Sequence, residues 1–361
     1  VAGRAVGPIS FIHIFNSASD LIRGRGNRKS ANMAILRVDH PSIIEFISAK
    51  ENPYYLKNFN ISVGITDKFL EAVKKNDDYE IFDQFSKKVI TKLNARKIFD
   101  MIISTAWKNG EPGLLFLDNI NKKNPTPELG KLEITSSCAE MPLYNYEGCF
   151  LGSINLEKFV KNNEINYEKL DLVVRLAVRF LDNSIDLSSY KIEKVNEMTR
   201  ANRKIGLGVM GFADMLDGLE IPYNSEKALE IAEEIMKFIQ KIAREESSNI
   251  GVEKGNFPNY KQSIFFKKIS MRNATVTAIA PTGSISLLAE TSNSIEPNFA
   301  ICYTRNILGN TEIVFVNKHF EKVAKEKNFY TPTLIRKIVE QGSLDNIDEI
   351  PEKIKKVFVM S

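Results

Sequence analysis

Short apolar runs alternate with stretches of helical periodicity along this chain, which predicts an α/β fold built from parallel βα units. The clearest run, Leu114-Leu-Phe-Leu117, is too short and too apolar for anything but a buried strand. No internal repeat, low-complexity tract or long linker interrupts the series, so residues 1–361 read as a single catalytic domain, incomplete at its ends.

The elements follow in order. Residues 8–22 carry apolar positions about four apart, a helix ending before Gly24. Ala34–Val38 reads as a strand, and Asp39-His-Pro-Ser42 as the cap of a helix begun by Ile43, Ile44, Phe46 and Ile47. Asn60–Ile65 alternates like a strand, and Thr66 and Asp67 cap a helix with Phe69, Leu70 and Val73 on one face. Residues 93–108 put Ala95, Ile98, Phe99, Ile102 and Ala106 on one helical stripe, closed by Gly110. The middle, 125–156, is irregular, with several prolines and glycines. From 165 to 250 the pattern is largely helical, including Tyr167–Leu187 and Ser225–Ile250. Residues 274–280 form a β-branched strand-like run ended by Pro281-Thr-Gly, and helical stretches follow near 311–325 and 331–341.

Composition narrows the function class. With 43% hydrophobic and 26% charged residues the chain is neither disordered, collagen-like nor a disulfide scaffold. No apolar run reaches the roughly 18–20 residues that span a bilayer, and Val1-Ala-Gly-Arg-Ala5 lacks a signal-peptide layout, so no membrane role and a cytoplasmic location are expected. A net charge of +4, from 49 Lys and Arg against 45 Asp and Glu, suits a small anionic substrate but gives no nucleic-acid footprint. The densest basic stretch, Arg23-Gly-Arg-Gly-Asn-Arg-Lys29, is glycine-rich, as befits a loop touching phosphate or a base. Three cysteines and three histidines without ligand spacing predict neither a disulfide framework nor a protein-built metal site.

Three segments could carry chemistry. In Ser136-Ser-Cys-Ala-Glu-Met-Pro142, an extended backbone would turn Ser136, Cys138 and Glu140 to one side. The carboxylate disfavours a thiolate, so the set is poor for nucleophilic catalysis but acceptable for a thiol reacting as S–H or as a sulfur radical; an inert core cysteine is the plain alternative. Cys149, in Tyr146-Glu-Gly-Cys-Phe-Leu-Gly-Ser153, is either a small core residue or a redox thiol. In Ala274–Ser286 a strand enters a Thr/Gly/Ser turn and a helix start, where Thr282, Gly283, Ser284, Ile285 and Ser286 form an anion cradle or Ser284 a simple N-cap. No lysine follows Gly283, so no nucleoside-triphosphatase P-loop is present.

Four collinear blocks resemble the catalytic α subunit of ribonucleotide reductase: Gly7-Pro-Ile-Ser-Phe11 with the loop Gly24–Asn32 and Asp39-His-Pro41; Cys138-Ala-Glu140 with Gly148–Asn155; Asn202–Phe212; and Pro281–Ser286 with Ser294-Ile-Glu-Pro297 and Tyr303-Thr-Arg305. The resemblance implies a ten-stranded α/β barrel with a radical cysteine on an interior finger loop. By the same resemblance Cys138 is the thiyl that abstracts the ribose 3′-hydrogen and Glu140 takes the 3′-hydroxyl proton. Ser136 stands where the family usually has Asn, and Cys149 is one of the two reducing thiols. The Thr282–Ser286 turn holds substrate phosphate, and the loop Gly24, Arg25, Gly26, Arg28, Lys29, Ser30, Ala31 couples an effector nucleotide to substrate choice. Cys302 reads as structural. Wording such as Asn202–Gly211 leans toward the adenosylcobalamin-dependent class II; the alternative is a radical fed from a separate metal-containing subunit. Implied partners are a ribonucleotide substrate, a nucleotide effector, a thioredoxin- or glutaredoxin-type reductant, a second copy in a homodimer, and N- and C-terminal parts of the same enzyme. The second reducing cysteine lies N-terminal to the Gly7 block in the family, so the chain resembles a central portion, either one piece of a split protein or a trimmed form. A degenerate paralogue retaining only nucleotide binding or regulation, and more remotely a glycyl-radical relative, are the competing readings.

Overall fold

The computed structural model describes residues 7–22, 30–52, 54–83, 85–307 and 311–360. The chain divides into two compact units, residues 1–147 with 262–264, and residues 148–261 with 265–361.

Unit 1 contains α1 (Pro8–Leu21), β1 (Asn32–Arg37), α2 (Ile43–Ser48), β2 (Phe59–Ile65), α3 (Asp67–Lys75), β3 (Asp78–Phe82), β4 (Val89–Asn94), α4 (Ala95–Asn109), β5 (Gly113–Phe116), α5 (Leu117–Lys122), β6 (Ile134–Thr135) and β7 (Pro142–Leu143). A parallel sheet of order β1-β2-β5 forms its centre. β2 was expected to alternate, yet every residue of it except Asn60 is buried, because the middle strand of a parallel sheet is covered on both faces. Ile43, Phe46 and Ile47 of α2, Phe69 and Val73 of α3, and Ile98 and Ile102 of α4 share its core. Residues 114–116 of the apolar run form a strand, but as the sheet edge, with Leu115 buried and Phe116 exposed, while Leu117 begins α5. Helix boundaries follow local chemistry. Thr66 accepts from the Phe69 N–H, Asn94 accepts from the Lys97 N–H, and Gly110 ends α4 at φ +83°, a left-handed conformation glycine tolerates. Ser42 sits at the α2 N-cap but makes no side-chain cap bond; its own N–H donates to His40 Nδ1. The antiparallel pair β3–β4 was not anticipated, since β4 is exposed along most of its length and shows no burial pattern.

Unit 2 contains β8 (Phe150–Asn155), β9 (Val160–Lys161), β10 (Glu164–Ile165), α6 (Tyr167–Leu187), α7 (Glu193–Asn202), β11 (Ile205–Met210), α8 (Phe212–Gly218), α9 (Glu226–Lys254), α10 (Ile285–Leu288), β12 (Cys302–Ile307), β13 (Thr311–Val316), α11 (Lys318–Glu326), α12 (Pro332–Gln341) and α13 (Glu352–Val357). β8 and β11 pair in parallel, and β11 is buried throughout, a strand inside a region whose pattern read as helical. Along the other edge of β11 runs the 274–280 segment. It is held by Ile205 N–H to Thr275 O and Leu207 N–H to Val276 O, with one parallel bridge, Leu207 to Thr277, in place of the expected full strand. A Cβ at Gly208 would collide with the Ala278 carbonyl, so this glycine permits the close approach. Helices α6 and α9 supply Leu170, Val174, Val178, Ile235, Ile239 and Ile242 to the core around these strands. Behind them Asp182, fully buried, accepts from Arg203 Nε at 2.9 Å and from Arg272 Nε at 3.3 Å. The expected helix at 311–325 begins only at Lys318; residues 311–316 pair antiparallel with β12, as their β-branched content favours.

Candidate active site

In unit 1 the Ser136–Met141 segment is the loop of the short hairpin β6–β7. The expectation of an extended backbone is corrected here. The loop is a tight turn in which the Ala139 N–H donates to Ser136 O and the Ser136 N–H donates to Met141 O, with Ala139 at φ +65°. Its geometry nevertheless joins two of the three predicted residues, Cys138 and Glu140, while Ser136 bonds to Met141 and Ala139 within the turn. The Cys138 backbone N–H donates to Glu140 Oε2 at 3.1 Å, and the Met141 N–H donates to Ser136 Oγ at 3.0 Å. Glu140 thus reaches Cys138 by folding back, where a shared strand face had been expected. Ser136 spends its hydroxyl's acceptor on the loop's own backbone. Two residues escaped the sequence reading. Ser137 Oγ lies 3.8 Å from Cys138 Sγ, and Asn60 on β2 donates to Ser137 O at 2.7 Å, tying the hairpin loop to the sheet. A hydroxyl next to a cysteine was a visible signal; Asn60, 77 residues away from Ser137, was not. Cys138 itself is exposed at the loop tip.

In unit 2 Cys149 precedes β8 and is partly exposed. The neighbouring Gly148 N–H donates to Thr199 Oγ1, and a Cβ on Gly148 would fall 3.0 Å from the Tyr190 hydroxyl. Burial, and then Cys149, raises the Tyr190 phenol. Cys302 is buried on β12; burial and then the Glu321 charge push its thiol up to about 12, which suits an inert core residue.

The predicted phosphate turn leaves the opposite end of the same parallel strands from Cys149, just beyond the 274–280 segment. Gly283, Ser284 and Ile285 are exposed, while Thr282 and Ser286 are buried. Ser284 stands at the N-cap of α10 but makes no cap bond, so simple capping does not account for it. Thr282, at φ +56°, uses its hydroxyl to accept from the Ser294 N–H at 2.8 Å. Ser286 donates to Asn293 Oδ1. The turn is therefore braced by the 291–294 segment that follows it.

Of the effector loop, Gly24, Arg25, Gly26, Arg28 and Lys29 lie outside the described residues, and Ser30 and Ala31 are exposed ahead of β1. Among the described residues no group of three or more His, Cys, Asp or Glu could hold a metal ion, and no helix is long and apolar enough to cross a membrane.

The chain matches known proteins along its length. The family model for the ribonucleotide reductase barrel domain matches residues 1–270 and 264–361. The vitamin B12-dependent ribonucleoside-diphosphate reductase of Thermoplasma acidophilum is 46% identical over 360 residues, covering 99% of this chain and 47% of that protein. That of Mycobacterium tuberculosis is 42% identical over 357 residues, covering 99% of this chain and 51% of its own length. The chain thus spans about half the length of the curated relatives it matches. The solved α subunit of the Actinobacillus ureae class Id ribonucleotide reductase superposes with a TM-score of 0.78 at 22% identity, over 100% of this chain and 64% of that one. This chain belongs to the ribonucleotide reductase family, and its fold is the α/β barrel fold of that family's catalytic subunit.

Proposed function

We propose that this chain is the central part of the catalytic barrel domain of a cytoplasmic ribonucleotide reductase, with both compact units belonging to that domain, and that it reduces ribonucleoside diphosphates to deoxyribonucleotides by a thiyl-radical route. One observation carries the reading: the hairpin loop holds the Glu140 carboxylate against the backbone of Cys138, in a chain that matches the barrel family along its length. Cys138, as a thiyl, takes the ribose 3′-hydrogen as its S–H. Glu140 accepts the 3′-hydroxyl proton and returns it to the 3′-oxygen at the end of the cycle, while the 2′-hydroxyl takes one thiol proton and departs as water, the other thiol hydrogen going to C2′. Cys149 and a second thiol, which the family carries N-terminal to the Gly7 block, give two electrons and two protons and end as a disulfide. The 3′-hydrogen then returns from Cys138. Ser136 shapes the loop, and Thr282, Gly283, Ser284, Ile285 and Ser286 bind the substrate phosphates. Residues Gly24–Ala31 carry the effector response.

The relatives' names support adenosylcobalamin as the cofactor. The structure fits it in one respect: the Cys138 sulfur is exposed and open to a bulky partner. When bound, the cofactor supplies the carbon-centred radical from which the thiyl is made. Further partners in this reading are a nucleotide effector, a thioredoxin- or glutaredoxin-type reductant, the remaining parts of the enzyme and a second copy of the subunit.

The test is solvent exchange of the ribose 3′-hydrogen in the assembled enzyme. Cys138→Ser abolishes the exchange while nucleotide binding persists. Exchange at the wild-type rate in that variant removes Cys138 from the mechanism.

A further inference from the structure

The Asp214 carboxylate, on α8, is buried. Its Oδ2 accepts from Thr291 Oγ1 at 2.7 Å and from the Ser292 N–H at 2.6 Å, and its Oδ1 accepts from Asn317 Nδ2 at 3.4 Å. These donors are neutral, yet each bond is strengthened by the carboxylate's charge. Thr291 and Ser292 belong to the segment that braces the 282–286 turn. The Thr291 N–H donates to Ser286 O, and two residues beyond Ser292 the Ser294 N–H donates to Thr282 Oγ1. The segment is also tied to the start of α8, where the Gly211 N–H donates to Ser292 O at 2.8 Å. Gly211 is at φ +71°, and a Cβ there would collide with Thr291 Oγ1. Among the described residues Asp214 is the carboxylate that accepts from both Thr291 and Ser292. The nearby Asp217 accepts from Asn298 and shares the Asn317 amide with Asp214.

We propose that Asp214 is a positioning residue that sets the shape of the phosphate-binding turn 282–286 through Thr291 and Ser292. The inference rests on reading that turn as the phosphate cradle. A cradle works by holding backbone and hydroxyl donors at fixed spacing before the anion arrives, so a charged brace one layer behind it governs phosphate affinity without touching phosphate.

The experiment compares calorimetric binding of CDP with that of cytidine to the 361-residue chain. Asp214→Ala weakens CDP roughly tenfold or more while cytidine binding is unchanged, because only the phosphate contacts lose their preorganised donors. Thr291→Val, which removes one bond of the brace and keeps side-chain volume, shifts CDP binding in the same direction should the alanine variant fold poorly. Asp217→Asn leaves the CDP-to-cytidine ratio as in the wild type. Ser284→Asp places a negative charge on the exposed turn and tests the cradle itself. Wild-type CDP affinity in Ser284→Asp, or a wild-type chain that binds CDP no tighter than cytidine, overturns the cradle reading and this inference with it. If Ser284→Asp lowers CDP affinity while Asp214→Ala and Thr291→Val both leave the ratio unchanged, the cradle stands and the role of Asp214 is overturned alone.

Discussion

At the scale of the residue, Ser136 illustrates how a short side chain can serve a loop. The family's usual Asn offers two amide donors at this position, whereas this hydroxyl accepts from the Met141 N–H and closes the turn from within. Ser136→Ala leaves that N–H without its partner and lowers stability by about 1 kcal/mol, read from urea unfolding. If the unfolding midpoint does not move, the hydroxyl is not what closes the turn. Cys138 and Glu140 were legible in the sequence as a chemically odd pair two residues apart. The way they meet was not, because the argument assumed a strand and the chain turns at Ala139 with a positive φ that its sequence does not advertise. Asp214 was invisible for a different reason. Its partners lie 77 and 78 residues further along, and nothing local marks a carboxylate as a brace.

At the scale of the element, helices declared themselves and strands did so unevenly. Helix α6 begins and ends where its apolar stripe does, and the Ser225 and Thr66 hydroxyls cap the helices they precede. Strand β11 hid among helical patterns because Ile205-Gly-Leu-Gly-Val-Met210 is apolar on both faces and only six residues long, a composition that periodicity cannot assign. Its glycines are informative once the neighbour is known: the 274–280 segment passes so close that position 208 has no room for a side chain. Gly208→Ala forces these two backbones apart and costs about 2–3 kcal/mol, with loss of amide-exchange protection at Leu207 and Ala278 as the specific sign. Protection equal to the wild type would refute the steric argument. Residues 311–316 were mistaken for a helix start because the helical pattern that follows them begins without a glycine or proline break; pairing with β12, a contact that sequence does not display, decides the outcome.

For the whole molecule, two acids titrate in opposite directions and so shape stability across pH. Burial, aided by the Asp214 charge, raises the Asp217 carboxyl to about 7 against the pull of Asn298, His319 and Asn317. Burial would also raise Glu157, but His319, Lys318 and Lys158 outweigh it and hold that carboxyl at about 2. Asp217 stays protonated in the folded chain over a range where the unfolded chain ionises, so its effect is a loss of stability as pH rises from about 4 to about 7. Glu157 contributes stability that is fully present above about 4.5 and disappears as pH falls toward 2. Asp217→Asn therefore flattens the decline on the neutral side, and Glu157→Gln flattens the one on the acid side. Urea midpoints between pH 3 and 8 check both; a neutral-side slope untouched by Asp217→Asn would dismiss its burial as the cause. None of this was readable beforehand, since both carboxylates are acidic residues among 45 and only folding separates their surroundings.

The bond between Glu140 and the Cys138 backbone would, in the proposed mechanism, link proton uptake to motion. An anionic carboxylate is a strong acceptor and a neutral carboxylic acid a weaker one. Under the mechanism proposed above, the step that hands Glu140 a proton from the sugar would slacken the tether on the sulfur's own residue in the same instant. In that proposal the acid that receives the proton is also the latch of the turn that presents the thiol, so the tip would be held most firmly before the proton transfer and released by it.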